Sequence, residues 1–330
     1  MCFENLTIEQ CVAQGIGPLV FPERLAQADR PQQENLRMKA VCVHTMQQQV
    51  QIRRIQSMAL HALEEAGIDA VLMKGAGLAA LYPSPEMRQW GDVDLFVGKE
   101  QYHQAAAVMR ATFPKALKFD EELDHYKHYN LIADGISIEI HRVSMGLTHP
   151  RDIRLYARME AYGMAHSEWA EWNGERFRVP EPTFNTLMVF LHSWEHMLSE
   201  GANLRQLYDV QVLLEHYKDR IDWKRLRWWL RQLRLTDVWA LYMEVIKGER
   251  LSARGERFLD AILHPRRKAF SVERLAFSGN RFVRKWHTMQ ERMKNADRIA
   301  AFSPAYARHL KWGILWSGLA RLFAKDRHWE

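Results

Sequence analysis

Cysteine is scarce in this chain: Cys2, Cys11 and Cys42 are unevenly spaced and all fall near the N-terminus. Such a set offers neither a disulfide framework nor a metal-ligand pattern, and it points to reduced thiols in a cytoplasmic protein. Long apolar runs are also missing. No stretch of about 18 or more apolar residues exists, so no membrane-spanning helix is expected. The opening residues, MCFENLTIEQ, have neither a basic start nor an apolar centre, and no secretory leader is expected from them. The P-loop order, in which Gly-Lys-Ser/Thr follows a glycine after four residues, is absent, and there is no internal repeat. The charge is less restrictive. A net charge of +6 and a pI near 9.2 permit a nucleotide, a nucleic acid or an anionic lipid as partner without choosing among them.

What is present centres on Val71 to Val97, VLMKGAGLAALYPSPEMRQWGDVDLFV. An apolar run, Val71-Leu72-Met73, stops at Lys74-Gly75-Ala76-Gly77. A short helical patch and a loop set by Pro83 and Pro85 follow. A second apolar run then carries Asp92 and Asp94. The pattern predicts a strand, a glycine turn, a helix and a second strand. Alternation on that strand puts Asp92 and Asp94 on one face and Val93, Leu95 and Val97 on the other. Two neighbouring carboxylates repel unless a cation lies between them, and Mg²⁺ suits such oxygen ligands. The glycines of the turn let backbone N–H groups approach an anion. Lys74 and Arg88 would supply positive charge to phosphates, the lysine as a point charge and the arginine as a fork.

The rest of the chain divides into three expected parts: an N-terminal extension (1–33), an α/β domain (34–180) and a helical domain with a basic tail (181–330). Residues 1–33 read as irregular, with Pro18, Pro22 and Pro31 as breakers. A long helix is predicted from Glu34 to Ala66, stopped by Gly67, with Gln47, Gln48 and Gln49 on its solvated face. A helix over 99–112 comes next. His128 to His141 reads as a hairpin about Asp134-Gly135. A two-residue turn pairs Ala133 with Ile136. Tyr129, Leu131, Ile138 and Ile140 then form an apolar face, and Glu139 stands opposite Asn130 on the polar one, two residues from His141. Glu139 is thus the third carboxylate that a two-metal site needs. His141 either orients a carboxylate or substrate, or is an ordinary hydrogen-bonded strand histidine. A helix over 151–162 and a hairpin about Asn173-Gly174 follow. Pro180 and Pro182 mark the boundary to helices over 183–199, 203–218, 222–234, 236–247 and 254–263, with Pro265 as an interruption.

Two further patterns compete for attention. His192-Ser-Trp-Glu-His196 places two histidines one helical turn apart, which is the H-x-x-E-H order of inverted zinc peptidases. That reading needs a third ligand, Glu256 or Glu273, and leaves Asp92 and Asp94 without a role. The other outcome is a packed helix. Trp223, Trp228, Trp229 and Trp239 are expected in the core. From Tyr306 to Lys325 the chain mixes Leu, Trp and Phe with Arg, His and Lys. This basic amphipathic helix either packs on the body or meets a membrane surface or partner.

The segments VLMKGAGLAALYP, Arg88, DVDLFV and IEIHR, with His192 and then NLRQLYDVQVLL and IDW, resemble the uncharacterised bacterial nucleotidyltransferases of the DNA polymerase β superfamily over roughly residues 40 to 245. The resemblance implies an α+β chain with a polymerase-β-like core, a small mixed sheet with flanking helices, and a helical C-terminal domain. It implies Asp92, Asp94 and Glu139 as ligands of Mg²⁺ or Mn²⁺. Lys74, Gly75, Gly77 and Arg88 would surround the triphosphate of an NTP such as ATP. His192, Arg205 and Asp209 match the helical-segment pattern as acceptor-side or structural residues. The implied reaction transfers NMP to an acceptor hydroxyl and releases pyrophosphate, and the acceptor is not specified. One departure stands out: the superfamily turn usually carries Gly-Ser, and this chain has Gly75-Ala76-Gly77. A nucleotide-binding protein without catalysis on the same fold is the alternative.

Overall fold

The computed structural model describes residues 6–27, 30–119, 123, 125–199, 201–248, 250–264, 289–290, 293–294 and 296–323. Its centre is a mixed seven-stranded sheet of order β3-β4-β5-β2-β1-β7-β6. The strands are β1 (Val71–Met73), β2 (Asp92–Phe96), β3 (Leu117–Lys118), β4 (His128–Ala133), β5 (Ile136–His141), β6 (Glu168–Trp172) and β7 (Glu175–Val179). β1 runs antiparallel to β2, and β2 runs parallel to β5. The fold is α+β, with helices flanking the sheet and a helical C-terminal region.

Alternation along the strands sorts side chains between two cores. Leu72, Val93, Leu95, Leu131, Ile138 and Ile140 pack with Ile52, Ile55, Tyr102 and Met109 of α3 (Gln32–Glu65) and α5 (Gly98–Thr112). Met73 belongs instead to the core of the helical half. That half contains α6 (Pro150–Ala165), α7 (Pro182–Ser199), α8 (Leu204–His216), α9 (Trp223–Gln232), α10 (Thr236–Lys247), α11 (Ala253–Leu263) and α12 (Pro304–Phe323). The polar face of β2 and β5 therefore looks toward the helices. That position makes a site possible.

Local rules account for much of this. The β4–β5 hairpin has the register read from sequence, with Ala133 opposite Ile136 and Asn130 opposite Glu139. Asp134 and Gly135 both take the positive φ its tight turn requires. Gly67, at φ +69°, ends α3, and Ile68 N–H reaches back to Leu63 O. Asn203 and Gln206 form a reciprocal capping box at α8.

Several expectations need correction. Residues 8–26 are not irregular but form α1 (Ile8–Ala13) and α2 (Gly17–Ala26). Pro18 sits in the first turn of α2, where its missing N–H costs nothing, and Pro31 caps α3. Both helices pack against the helical half, where Gln14 bonds Leu204 N–H and Ile262 O. Gln49 is buried in α3 rather than solvated. Trp229 is buried, but Trp228 is half-exposed. β7 adds to β1 in parallel and so extends the same sheet. On α12, Tyr306, Ala307 and Ile314 face the core while Trp312 and Trp316 face solvent. Among the described residues, no helix is long and apolar enough to cross a membrane. Cys2, Pro265, Glu273 and the end of the basic tail lie outside the described residues.

Candidate active site

The parallel register of β2 and β5 sets Asp94 directly beside Glu139, with Asp92 two residues back on the same face. On the other side of β2, Met73 pairs with Asp94, so the next residue, Lys74, reaches the same place. Lys74 Nζ lies 2.8 Å from Asp94 Oδ2, and His141 Nε2 lies 2.8 Å from Asp94 Oδ1 and 3.1 Å from Glu139 Oε2. His141 Nδ1 lies 3.3 Å from Val143 O. His128, opposite His141 in the hairpin, brings Nδ1 to 3.5 Å from Glu139 Oε2.

The backbone at Lys74 is unusual. Its φ is +54°, in a region that side-chain-bearing residues seldom enter, and Gly75 follows at φ +39°. Such strain costs on the order of 1–3 kcal/mol and persists where the surroundings hold it in place. Here the ion pair to buried Asp94 does so. α4 (Gly75–Ala79) starts at once, with Leu78 N–H donating to Lys74 O at 3.1 Å. The amides of Gly75, Ala76 and Gly77 precede that bond.

Charge is unevenly balanced here. Asp94's like charge, then burial, raise the pKa of Asp92 above the usual aspartate value. For Asp94, burial pushes upward, but Lys74 and His141 overcome it and hold the carboxyl well below the ordinary range. Burial opposes the charge on Lys74, yet Asp94, Asp92 and Glu139 keep its ammonium above the usual lysine value. His128 is pushed down to about 4, mainly by burial. Its Nδ1 is buried without a hydrogen-bond partner. Asp92 and Asp94 share a strand face with Glu139, and carboxylate oxygens of this kind suit a divalent ion. His128, Glu139 and His141 alone bring ligand atoms within 4.8 Å of one another.

Other expected residues are placed differently. Arg88 does not present a free fork to phosphate: its Nε and Nη2 donate to Asp209 at 2.7 and 3.0 Å, and Nη1 donates to Gly75 O at 3.1 Å. The pair is buried, and Tyr82 Oη donates to the same carboxylate at 2.5 Å. Arg88 thus ties the glycine turn to α8. Gly77 is not an open approach for an anion either. It lies inside α4, where a Cβ would come within 2.9 Å of Val179 Cγ1. Its role is close packing on β7. Arg205 donates Nη1 to Gln89 O at 2.5 Å, and its charge acts on Asp92.

His192 comes down from α7 near Lys74 and Asp94. Burial, then Lys74, keep its ring well below the ordinary histidine pKa. It packs edge-on against His196, with centroids 4.6 Å apart. Among the described residues, no carboxylate joins His192 and His196 in a ligand group, and Glu256 is exposed on α11. Among the described residues the zinc-peptidase ligand set is therefore not assembled, and Glu273, the other expected ligand, lies outside them. Two residues of this region are not among the expected site residues. His128 stands on the polar strand face, opposite His141, and alternation along β4 is the signal that puts it there. Trp90 gave no signal; its Nε1 is buried without a hydrogen-bond partner, 3.5 Å from where a Cβ on Gly75 would be.

A strained Lys-Gly turn, paired aspartates on a central strand and a glutamate on its parallel neighbour form a carboxylate site suited to metal-assisted phosphate chemistry. A sequence model of the family described as "Uncharacterised nucleotidyltransferase" matches residues 5–247, and the chain belongs to that family. None of the curated proteins compared matches it. Among solved structures, it is similar to an antigenic nucleotidyltransferase-like protein from Paracoccidioides brasiliensis, at 15% identity and a TM-score of 0.36. That likeness covers 61% of this chain and 94% of the other.

Proposed function

We propose that this protein transfers a nucleoside monophosphate from an NTP to an acceptor hydroxyl, with Asp92, Asp94 and Glu139 holding the divalent metal. The observation that carries this reading is the in-register placement of Asp94 and Glu139 on parallel strands, with Asp92 on the same face. In the reaction, the acceptor oxygen forms a bond to the α-phosphorus. The bond from that phosphorus to the bridging oxygen breaks, and pyrophosphate leaves. Mg²⁺ or Mn²⁺ at these carboxylates supplies charge neutralisation and lowers the pKa of the attacking hydroxyl.

The chain's own residues position the parts. His141 bridges Asp94 and Glu139 and fixes their orientation. Lys74 balances Asp94, and with a metal taking over that charge its ammonium would be available to the triphosphate. With Ala76 in place of the usual serine, the amides of Gly75 and Ala76 are the phosphate donors left at the turn. Arg205 and His192 border the site from the helical half, on the acceptor side.

Nucleotide binding without transfer is the second reading. Two findings favour it: Lys74 and Arg88 both spend their charge on internal carboxylates. Label transfer separates the two. Wild type, Mn²⁺ or Mg²⁺ and each α-labelled NTP are incubated with cell extract as acceptor pool, beside an Asp92→Ala/Asp94→Ala variant. Metal-dependent labelling of an acceptor, lost in the variant, is expected. Binding with no label on any acceptor would favour the second reading, and no NTP binding by wild type would defeat both.

A further inference from the structure

A second cluster of ligand-type side chains lies where the first turn of α6 meets α12. His149, Asp152 and His309 each bring one ligand atom to within 4.8 Å of the others. They share no residue with the carboxylate face of the sheet. We propose that these three residues form a transition-metal site of the Zn²⁺ class that pins α12 to α6. This inference is independent of the nucleotidyl-transfer reading.

The donor chemistry selects the ion. Two imidazoles and one carboxylate suit Zn²⁺ and its borderline neighbours, whereas Mg²⁺ and Ca²⁺ prefer oxygen alone. Metal–ligand distances of about 2.1 Å place tetrahedral ligands roughly 3.5 Å apart, so only small side-chain shifts close the set around an ion. The group is also incompletely satisfied without one. His309 Nε2 lies 2.5 Å from Asp152 Oδ2, but Asp152 Oδ1 is buried with no hydrogen-bond partner. A buried carboxylate oxygen left unpaired is costly, and an ion supplies the missing contact. His149 Nδ1 accepts only a long 3.2 Å bond from Arg151 N–H, so the ring gives up little when its lone pair turns to a metal.

The surrounding packing holds the three groups together. The rings of His149 and His309 stack with centroids 4.3 Å apart. Gly313, one turn beyond His309, lets α12 approach: a Cβ there would lie 3.1 Å from His149 Cβ. A cleft of about 380 Å³, lined by His149, His309, Arg234, Arg308 and Trp312, opens beside the cluster. It gives an ion an entry path and room for a solvent or anionic fourth ligand. Arg234 and Arg308 oppose a dication in the cleft, and an anionic fourth ligand offsets that opposition.

The test is titration of the metal-stripped full chain with Co²⁺, read by the visible absorption of the four-coordinate ion, followed by displacement with Zn²⁺. The expected result is one Co²⁺ per chain with that absorption, unchanged in Asp92→Ala/Asp94→Ala and lost in His309→Ala. Asp152→Asn keeps the side-chain volume and guards against a folding artefact; it is expected to weaken binding at least tenfold. No such absorption in wild type would overturn the site. So would absorption that survives His309→Ala and Asp152→Asn but disappears with Asp92 and Asp94.

Discussion

Two charge clusters flank the Lys74–Gly75 turn, and they are built on opposite terms. Around Asp209 everything is matched: Arg88 forks onto both carboxylate oxygens, Tyr82 adds a third bond, and the assembly is buried. Around Asp94 the matching is incomplete. Lys74 and His141 serve one aspartate, Asp92 is left with a raised pKa, and His128 Nδ1 has no hydrogen-bond partner. A saturated ion pair holds two parts of a fold together, while an unsaturated carboxylate cluster invites a cation. On the proposed reading, the first cluster is structural and the second carries the chemistry.

The largest effect should come from the open cluster. Asp94→Asn is expected to lower transfer activity by on the order of 10²–10³-fold, measured as kcat/KM, with the fold intact by circular dichroism. An equal loss from Arg88→Lys, with stability unchanged, would erase the distinction between the clusters.

The closed cluster should show itself in stability. Asp209→Ala strands the Arg88 guanidinium in a buried site and is expected to destabilise by about 3–5 kcal/mol in urea unfolding. Replacing both partners with apolar residues should recover part of that loss. Next comes Gly77→Ala, whose new methyl meets Val179; overpacking of this kind costs about 1–3 kcal/mol. A neutral result there would return Gly77 to a ligand-binding role.

The pH response gives a finer test. His128 keeps a neutral ring down to about 4, whereas an ordinary histidine takes its proton near 6.5. Between those values the unfolded chain binds the proton and the folded chain does not, so stability falls as pH drops through the window. His128→Gln should reduce that slope, and the part that persists comes from His192, whose buried ring is also held well below the ordinary value. Asp94 acts in a lower window: its depressed carboxyl stabilises fully above the unfolded value of 3.8, and the contribution is lost as pH falls below it. Asp94→Asn should flatten only that lower limb.

How much of this was legible in sequence depended on the range of the interaction. The Asp134-Gly135 turn fixed its own register, so the face shared by Asn130, Glu139, His128 and His141 followed from alternation alone. Asp92 and Asp94 were likewise readable, because period two is a local property. The partner of Arg88 was not, since Asp209 lies 121 residues away and nothing near either residue encodes the pairing. The same limit hid the parallel docking of β7 on β1 and the burial of Gln49 within an otherwise polar helix turn. Trp228 shows the converse: helical spacing among leucines did not reveal which side of α9 faced solvent.

The most direct test of the central claim is calorimetric binding of a non-hydrolysable NTP to metal-stripped protein, with and without Mn²⁺. Wild type, Asp92→Ala/Asp94→Ala and Arg88→Lys would be compared. The account predicts binding by wild type that requires Mn²⁺, disappears when both aspartates are removed and persists in Arg88→Lys. Binding that is indifferent to Mn²⁺ and to both aspartates would contradict it.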